Sequence, residues 1–172
     1  MKSLTLAIES DLGNVSLVSI AVNSICLYAG LAAEEANQVE LCLFEAITNS
    51  IRHAYHGETS QIVTVALAVR ETHLQFDVYD TGTPMSTQQV NELVHGDNSV
   101  EIEKVERALI PEGGRGLQII RKTMDHVAYT QEGGRNRPVG SSGAAERLEP
   151  PDASRRTRRP CHHRASLGAR GA

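Results

Sequence analysis

The chain is poor in aromatic residues and in cysteine. Its 172 residues contain no tryptophan, two phenylalanines and four tyrosines, so the core is expected to be aliphatic. The three cysteines are odd in number and form no CxxC pair. Cys26 and Cys42 stand in apolar helical patterns and are predicted to be small buried residues of a protein in a reducing compartment.

Long hydrophobic runs are also missing. The N-terminal stretch MKSLTLAIESD lacks the apolar core of a signal peptide, and no segment approaches a membrane span. A length of 172 residues with a hydrophobic share of 40% suits one domain that can bury a core. We expect a soluble, cytoplasmic protein of bacterial type.

Positive charge is scarce in the first 136 residues, which hold nine basic and 18 acidic side chains. Such an acidic body repels the phosphate backbone, so no direct nucleic-acid partner is expected. From Arg137 onward the balance reverses, with eight arginines, three acidic residues and only three large aliphatic residues. Residues 137–172 are therefore predicted to form a disordered tail. Its Cys161-His162-His163 run lacks a fourth spaced ligand, and no metal site is assigned to it.

The apolar periodicity predicts an α+β fold, a two-layer sandwich in which helices cover one face of a mixed, mostly antiparallel sheet. Strands are expected at Ser3 to Ile8, in SQIVTVALAVR and HLQFDVYD as an antiparallel hairpin, and in VAYTQE. Helices are expected from about Asn14 to Tyr28, from about Glu34 to His56, after Ser86 as N-cap, and in GRGLQIIRKTMDHV. Residues from about Gly96 to Glu112 show no firm period and are predicted to form a mobile loop.

The helix ELCLFEAITNSIRHAYHG carries Glu45, Asn49 and His53 in steps of four. Because a helix repeats every 3.6 residues, these side chains follow one stripe. For any one such polar pair, a solvent-facing stripe is the simpler interpretation.

Two further motifs accompany the stripe. Asp80-Thr81-Gly82 ends a β-run, where it is either an ordinary turn or an acidic group beside a glycine that lets a flat ligand approach. Gly113, Gly114 and Gly116 open a helix beside Arg115, which is either a flexible helix entry or a phosphate cradle. This glycine run is not a Walker A sequence, and it does not follow a strand as a dinucleotide fingerprint does.

In this order the three motifs resemble the N, G1 and G2 boxes of the Bergerat-fold ATPases, which include gyrase, heat-shock chaperones, histidine kinases and mismatch-repair ATPases. Within that group the chain is most similar to the small anti-sigma-factor serine kinases. ELCLFEAITNSIRHAYHG matches their E-A-x-T-N-A-x-x-H-A-Y helix almost position for position. VYDTGTPM and GGRGLQIIRKTMDHVAY resemble their two glycine boxes. The resemblance covers residues 3 to 136, and it implies a histidine-kinase-like ATPase domain over residues 1–136.

The resemblance also implies roles for individual residues. Glu45 is expected to act as general base and Asn49 to bind Mg²⁺, with His53 near the phosphates. Asp80 is expected to accept the adenine amino proton, and Gly82 to leave room for the ring. The residues expected to close over the triphosphate are Gly113, Gly114, Arg115 and Gly116. The expected cofactors are ATP and Mg²⁺.

The implied function is that of an ATP-dependent serine kinase that phosphorylates an anti-sigma-factor antagonist and binds a sigma factor. The expected assembly is a homodimer without a membrane partner. One alternative is a binding module that uses nucleotide only as a switch, without catalysis. The catalytic domain of a histidine kinase is disfavoured, because no helical segment with a phospho-accepting His precedes the ATP domain.

One departure from the family pattern comes after GGRN. The family has a last strand of alternating aliphatic residues there, with a small polar residue near adenine, and this chain has the arginine-rich tail. We interpret the change as a shifted reading frame or an expression scar. The expected consequences are an exposed sheet edge near Tyr129 and Thr130, self-association and weaker ATP binding. Truncation after Asn136 is expected to leave the melting temperature nearly unchanged.

Overall fold

The computed structural model describes residues 2–96 and 115–142 of the chain. The strands are β1 (Lys2–Glu9), β2 (Ile62–Val69), β3 (Leu74–Tyr79), β4 (His126–Glu132) and β5 (Arg135–Ser142). The helices are α1 (Leu12–Tyr28), α2 (Ala33–Asn49), α3 (Thr87–His95) and α4 (Arg115–Thr123). The strands form one sheet in the order β1-β2-β3-β5-β4. The predicted α+β class is confirmed, and every pairing between these strands is antiparallel.

The core lies between the helices and one face of the sheet and is mainly aliphatic. In β2 the buried residues Val63, Val65 and Leu67 alternate with less buried neighbours, as expected for a strand with one face on the core. Cys26 and Cys42 are buried as predicted. Burial raises the pKa of Cys26 to about 12 and that of Cys42 to about 11, so both thiols stay protonated near neutral pH.

The second helix ends differently from its prediction. Regular α-helix stops at Asn49, and a π-helical turn, Ser50–Ala54, carries the chain onward. The Tyr55 N–H donates to the Ser50 carbonyl at 3.0 Å, five residues back. The helix then ends at His56 and Gly57, whose φ angles are 54° and 82°. The widened turn therefore lies directly after Asn49, and such turns are frequent at functional sites.

The prediction that the sheet lacks its last strand is wrong. Gly133 and Gly134, with φ angles of 59° and 75°, form a two-residue turn between β4 and β5, because both positions need the left-handed backbone that glycine adopts freely. Strand β5 then pairs with β4 on one side and with β3 on the other. The strand depends on this turn and on backbone ladders, so it forms without an alternating aliphatic run.

Pro138 interrupts this pairing without ending it. Asn136 exchanges backbone hydrogen bonds with Asp80, and the regular β3–β5 ladder begins at Val139. Pro138 falls in the gap between these two, where its missing N–H removes a ladder bond. Tyr129 and Thr130 do lie on an edge strand, but β5 covers one side of that strand.

Several predictions fall outside the described residues. These include the mobile loop, apart from Gly96 at its start, and the tail from residue 143 onward. The tail boundary at 137 is displaced, because residues 137–142 belong to β5. Within 2–96 and 115–142, no helix is both long and apolar enough to cross a membrane.

The position of β5 reverses the expected effect of truncation. A chain ending at Asn136 loses the partners of Leu74 to Asp77 on β3 and of five residues on β4. We expect it to melt several degrees below a chain ending at Ser142, because each lost ladder bond contributes roughly 0.5–1.5 kcal/mol. Differential scanning calorimetry of the two truncated chains measures this difference. Equal melting temperatures would contradict the assigned place of β5.

Candidate active site

A cavity of about 330 Å³ opens beside the end of α2, a volume within the range of small-molecule sites. Three of the predicted site residues line it together, namely Asn49, His53 and Asp80. Three regions contribute further lining residues: Ser50 from the π-helical turn, Thr83, Pro84 and Met85 after β3, and Tyr129 and Asn136 from the β4–β5 hairpin. The N-box helix and the strand-end acid therefore meet at one cavity.

Asp80 lies at the wall of this cavity and is 5% exposed. Its Oδ1 accepts from the Asn136 side-chain amide at 2.6 Å and from the Gly82 N–H at 3.1 Å. Its Oδ2 accepts from the Ser50 hydroxyl at 2.8 Å. Since a carboxylate oxygen can accept two hydrogen bonds, Oδ2 retains capacity for one more donor. A buried carboxylate held in this way can recognise an amino group in the cavity.

Three polar residues of this network were missed by the sequence analysis, namely Ser50, Tyr129 and Asn136. The Tyr129 hydroxyl donates to Asn136 Oδ1 at 3.0 Å and accepts from the Met85 N–H at 3.0 Å. Burial raises the pKa of Tyr129, so its hydroxyl stays protonated and able to donate. The Gly133-Gly134 pair could have revealed Asn136, because a two-residue glycine turn predicts an immediate return strand.

Glu45 and Asn49 meet the first turn of α4 at Gly116. A Cβ built on Gly116 would lie 2.7 Å from Glu45 Oε2 and 3.3 Å from Asn49 Nδ2. Only glycine therefore lets α4 approach the two side chains without moving them. The Asn49 Nδ2 atom is buried and has no hydrogen-bond partner within the described structure. Since such groups are normally satisfied, this orphaned amide fits a site that awaits a polar ligand.

The packing of the fold requires a glycine at position 82. A Cβ at this position would lie 2.3 Å from the Ala54 carbonyl oxygen, and the adjacent Thr83 N–H donates to that oxygen at 2.8 Å. The glycine thus lets the segment after β3 pack on the π-helical turn. Its expected role of leaving room for a ring stays a prediction.

The remaining predicted residues are only partly described. His53 is exposed on the cavity wall. Three residues further along, His56 Nε2 lies 3.1 Å from Thr83 Oγ1. Arg115 begins α4, and only its backbone is described. Gly113 and Gly114 lie outside the described residues, so the phosphate-closing role of this run stays a prediction.

Comparison with known protein families agrees with this geometry. The model of the histidine kinase-like ATPase domain matches residues 8–137. This chain belongs to that family. The membership accords with the cavity, where the end of the long helix and the strand-end acid meet, and it shows that the domain uses ATP.

Individual relatives show to which group within this family the chain is similar. The serine-protein kinase RsbW of Listeria monocytogenes serovar 1/2a is 30% identical over 131 residues, which cover 76% of this chain and 81% of the relative. RsbW of Oceanobacillus iheyensis is 26% identical over 120 residues, covering 70% and 73%. The predicted class of enzyme, an ATP-dependent serine kinase of the anti-sigma-factor group, is confirmed at the level of the family.

Solved structures confirm the fold. The RsbU and RsbW domains of Rv1364c from Mycobacterium tuberculosis superpose with a TM-score of 0.56 at 12% identity, over 83% of this chain and 32% of that chain. The SiaB-SiaC complex from Pseudomonas aeruginosa gives a TM-score of 0.56 at 17% identity, over 81% of this chain and 88% of that chain. At such identities these likenesses support the architecture alone.

Replacement of Asp80 tests the buried carboxylate. In Asp80→Asn, one oxygen can still accept from Asn136 and Gly82, while the new NH₂ group faces Ser50 and the cavity, where an acceptor is needed. We expect nucleotide affinity to fall about 5- to 150-fold, equivalent to about 1–3 kcal/mol for a mismatched buried hydrogen bond. Isothermal titration calorimetry with an ATP analogue measures the change. Equal affinities would remove Asp80 from nucleotide recognition.

Substitution of two glycines distinguishes a loss of activity from a loss of stability. In Gly116→Ala the new Cβ meets the end of the flexible Glu45 side chain, so we expect a normal melting temperature and about 100-fold slower phosphoryl transfer from the displaced carboxylate. In Gly82→Ala the Cβ meets the Ala54 backbone, so we expect a destabilisation of about 1–3 kcal/mol. Thermal melting and turnover are measured on both variants. A destabilised Gly116→Ala together with a stable but slow Gly82→Ala would contradict the contacts assigned to the two glycines.

Proposed function

We propose that this kinase transfers the γ-phosphoryl group of ATP to a serine of a small anti-sigma-factor antagonist, and that it also binds a sigma factor. The observation that carries the proposal is the position of Glu45. Its carboxylate lies against the first turn of α4, beside the orphaned amide of Asn49. Asn49, one helical turn further along α2, lines the cavity. A carboxylate in this place can accept the proton of an attacking hydroxyl.

The described residues divide the work between the cavity and the first turn of α4. Asp80, held by Ser50 and Asn136, binds the amino group of adenine. Asn49 orients the phosphate end of the nucleotide. Glu45 takes the proton from the serine hydroxyl, whose oxygen bonds to the γ-phosphorus while the bond to the β-phosphate oxygen breaks and ADP leaves. Positioning and charge neutralisation are what phosphoryl transfer chiefly requires.

Magnesium fits this donor set as an ion carried by the nucleotide. Among the described residues, no group of three or more His, Cys, Asp or Glu side chains could hold a metal ion. Mg²⁺ keeps several waters and binds protein through few ligands plus substrate phosphates, so one oxygen from the Asn49 side chain suffices. When bound, the ion neutralises charge on the phosphates.

The relatives support protein partners. RsbW is named a serine-protein kinase, and SiaB is described in complex with SiaC, which supports a protein substrate for this chain. We further propose that the chain acts as a homodimer in the cytoplasm. The acidic charge of residues 1–136 agrees with protein partners and with the absence of direct contacts to nucleic acid.

Replacement of Glu45 tests the catalytic role. Glu45→Ala removes the base, so we expect transfer to fall about 10²- to 10⁴-fold while nucleotide affinity stays within about threefold. Asn49→Ala should weaken Mg²⁺-dependent nucleotide binding as well. Transfer is followed with ATP labelled in the γ-phosphate and candidate antagonist proteins from the same genome. The matched control is Glu34→Ala, which removes an exposed carboxylate from the same helix.

The outcomes separate the two candidate functions. Normal transfer by Glu45→Ala would refute the base assignment. Nucleotide binding by the wild-type chain without transfer to any antagonist would refute catalysis and favour the nucleotide-switched binding module.

A further inference from the structure

Tyr129 lines the nucleotide cavity from β4 and has no part in the proposed steps of phosphoryl transfer. We propose that Tyr129 determines how strictly the site selects a base that carries an amino group over one that carries a carbonyl group in the same place. It is a positioning residue, because its hydroxyl bonds to Asn136 and Asn136 in turn bonds to Asp80. The inference rests on the proposed contact between Asp80 and the amino group of adenine.

The direction of the hydrogen bonds at Tyr129 is fixed by the backbone. The Met85 N–H can only donate, and it donates to the Tyr129 oxygen at 3.0 Å. The hydroxyl proton is therefore left for Asn136 Oδ1, at 3.0 Å. A tyrosine hydroxyl can in general donate or accept, but in this position it serves Asn136 as a donor only.

This donor favours one orientation of the Asn136 side-chain amide. With Oδ1 turned to Tyr129, Nδ2 donates one N–H to Asp80 Oδ1 at 2.6 Å and the other to the Gly82 carbonyl at 3.0 Å. A reversed amide would place its oxygen against these two acceptors. Asn136 is 3% exposed and both of its N–H bonds are used, so it has no donor left for a ligand.

The other groups that bond to the Asp80 carboxylate are committed in the same way. The Ser50 hydroxyl donates to Oδ2 at 2.8 Å, and the Gly82 N–H donates to Oδ1 at 3.1 Å. Asp80 therefore offers a base only the remaining acceptor capacity of Oδ2. An amino group can donate to it, whereas a carbonyl oxygen in the same place would face a carboxylate oxygen with no proton between them. A buried site that leaves such groups unpaired discriminates strongly against the wrong ligand.

Removal of the Tyr129 hydroxyl releases this arrangement. In Tyr129→Phe, the buried Oδ1 of Asn136 loses its donor, and a buried acceptor without a partner is unfavourable. Rotation of the Asn136 side chain toward the cavity relieves this cost. Its NH₂ group then holds Asp80 less firmly and can donate to a carbonyl group of the base. A base with an amino group should bind more weakly, and the penalty against a carbonyl group should shrink.

The test compares ATP with inosine triphosphate, whose base has a carbonyl oxygen where adenine has its amino group. Isothermal titration calorimetry of the full chain with Mg²⁺, without an antagonist protein, gives the ratio of the two affinities. We expect the wild type to prefer ATP at least about 100-fold. Tyr129→Phe should reduce this preference at least about fivefold. Because both affinities are measured on one preparation, their ratio is valid for a variant that is only partly folded.

Tyr79→Phe is the matched control, because it removes the same hydroxyl from a neighbouring strand. Tyr79 lines a different concavity, where Arg137 lies 5.7 Å from the centre of its ring, and the preference for ATP should not change. Asn136→Ala should reduce the preference as Tyr129→Phe does. Adding Tyr129→Phe to Asn136→Ala should change it no further, because Tyr129 acts through Asn136.

The outcomes distinguish the inference from the proposal on which it rests. If Tyr129→Phe weakens both nucleotides equally, or leaves both unchanged, Tyr129 does not set selectivity and the inference is wrong. The inference also fails if Tyr129→Phe has its full effect in the absence of the Asn136 side chain. Undiminished ATP binding by Asp80→Asn would refute the base contact in the proposed function, and the inference with it. Weakened binding by Asp80→Asn together with an unchanged ratio in Tyr129→Phe would refute the inference alone.

Discussion

The hydrogen bonds between Asp80 and Asn136 hold the site together. They join the end of β3 to β5 through both backbones and both side chains, and Ser50 ties the π-helical turn to the same carboxylate. Three segments distant in sequence thus converge on one buried acid. A buried carboxylate with several donors is stable only while all of them remain in place. The same hydrogen bonds therefore set the shape of the cavity and hold the end of the sheet together.

Two glycines bring backbones close together on either side of this acid, for different reasons. A Cβ at position 82 would clash with the rigid carbonyl of Ala54. A Cβ at position 116 would instead meet the movable side-chain ends of Glu45 and Asn49. The first contact fixes where Asp80 lies relative to α2. The second brings α4 up to the Glu45 carboxylate, which is the proposed general base. Glycine is thus needed at position 82 for packing of the fold and at position 116 for the position of α4 beside the site.

Periodicity predicted the α+β class and the elements before β5, because it is a local signal. The meeting of Asn49, His53 and Asp80 was expected from the resemblance to the Bergerat-fold ATPases. The sequence did not predict the π-helical turn at Ser50, since nothing in SIRHA distinguishes that turn from regular helix. It also failed for β5. The arginines, the proline and the few aliphatic residues after Asn136 concealed a strand that a glycine turn and backbone ladders sustain, which shows tertiary context overriding propensity. Tyr129 and Asn136 were missed with it, because their roles depend on that pairing.

The composition of the chain changes directly after a residue of the site. Asn136, the residue of β5 that contacts Asp80 through its side chain, precedes the arginine-rich stretch by one position. The side chains that hold Asp80 are thus encoded upstream of the change. Among the described residues after it, Pro138 lines the cavity, and the backbone of β5 extends beside β3. A change of sequence after Asn136 can therefore leave every side-chain hydrogen bond of Asp80 in place while it alters the strand that closes the cavity beside it.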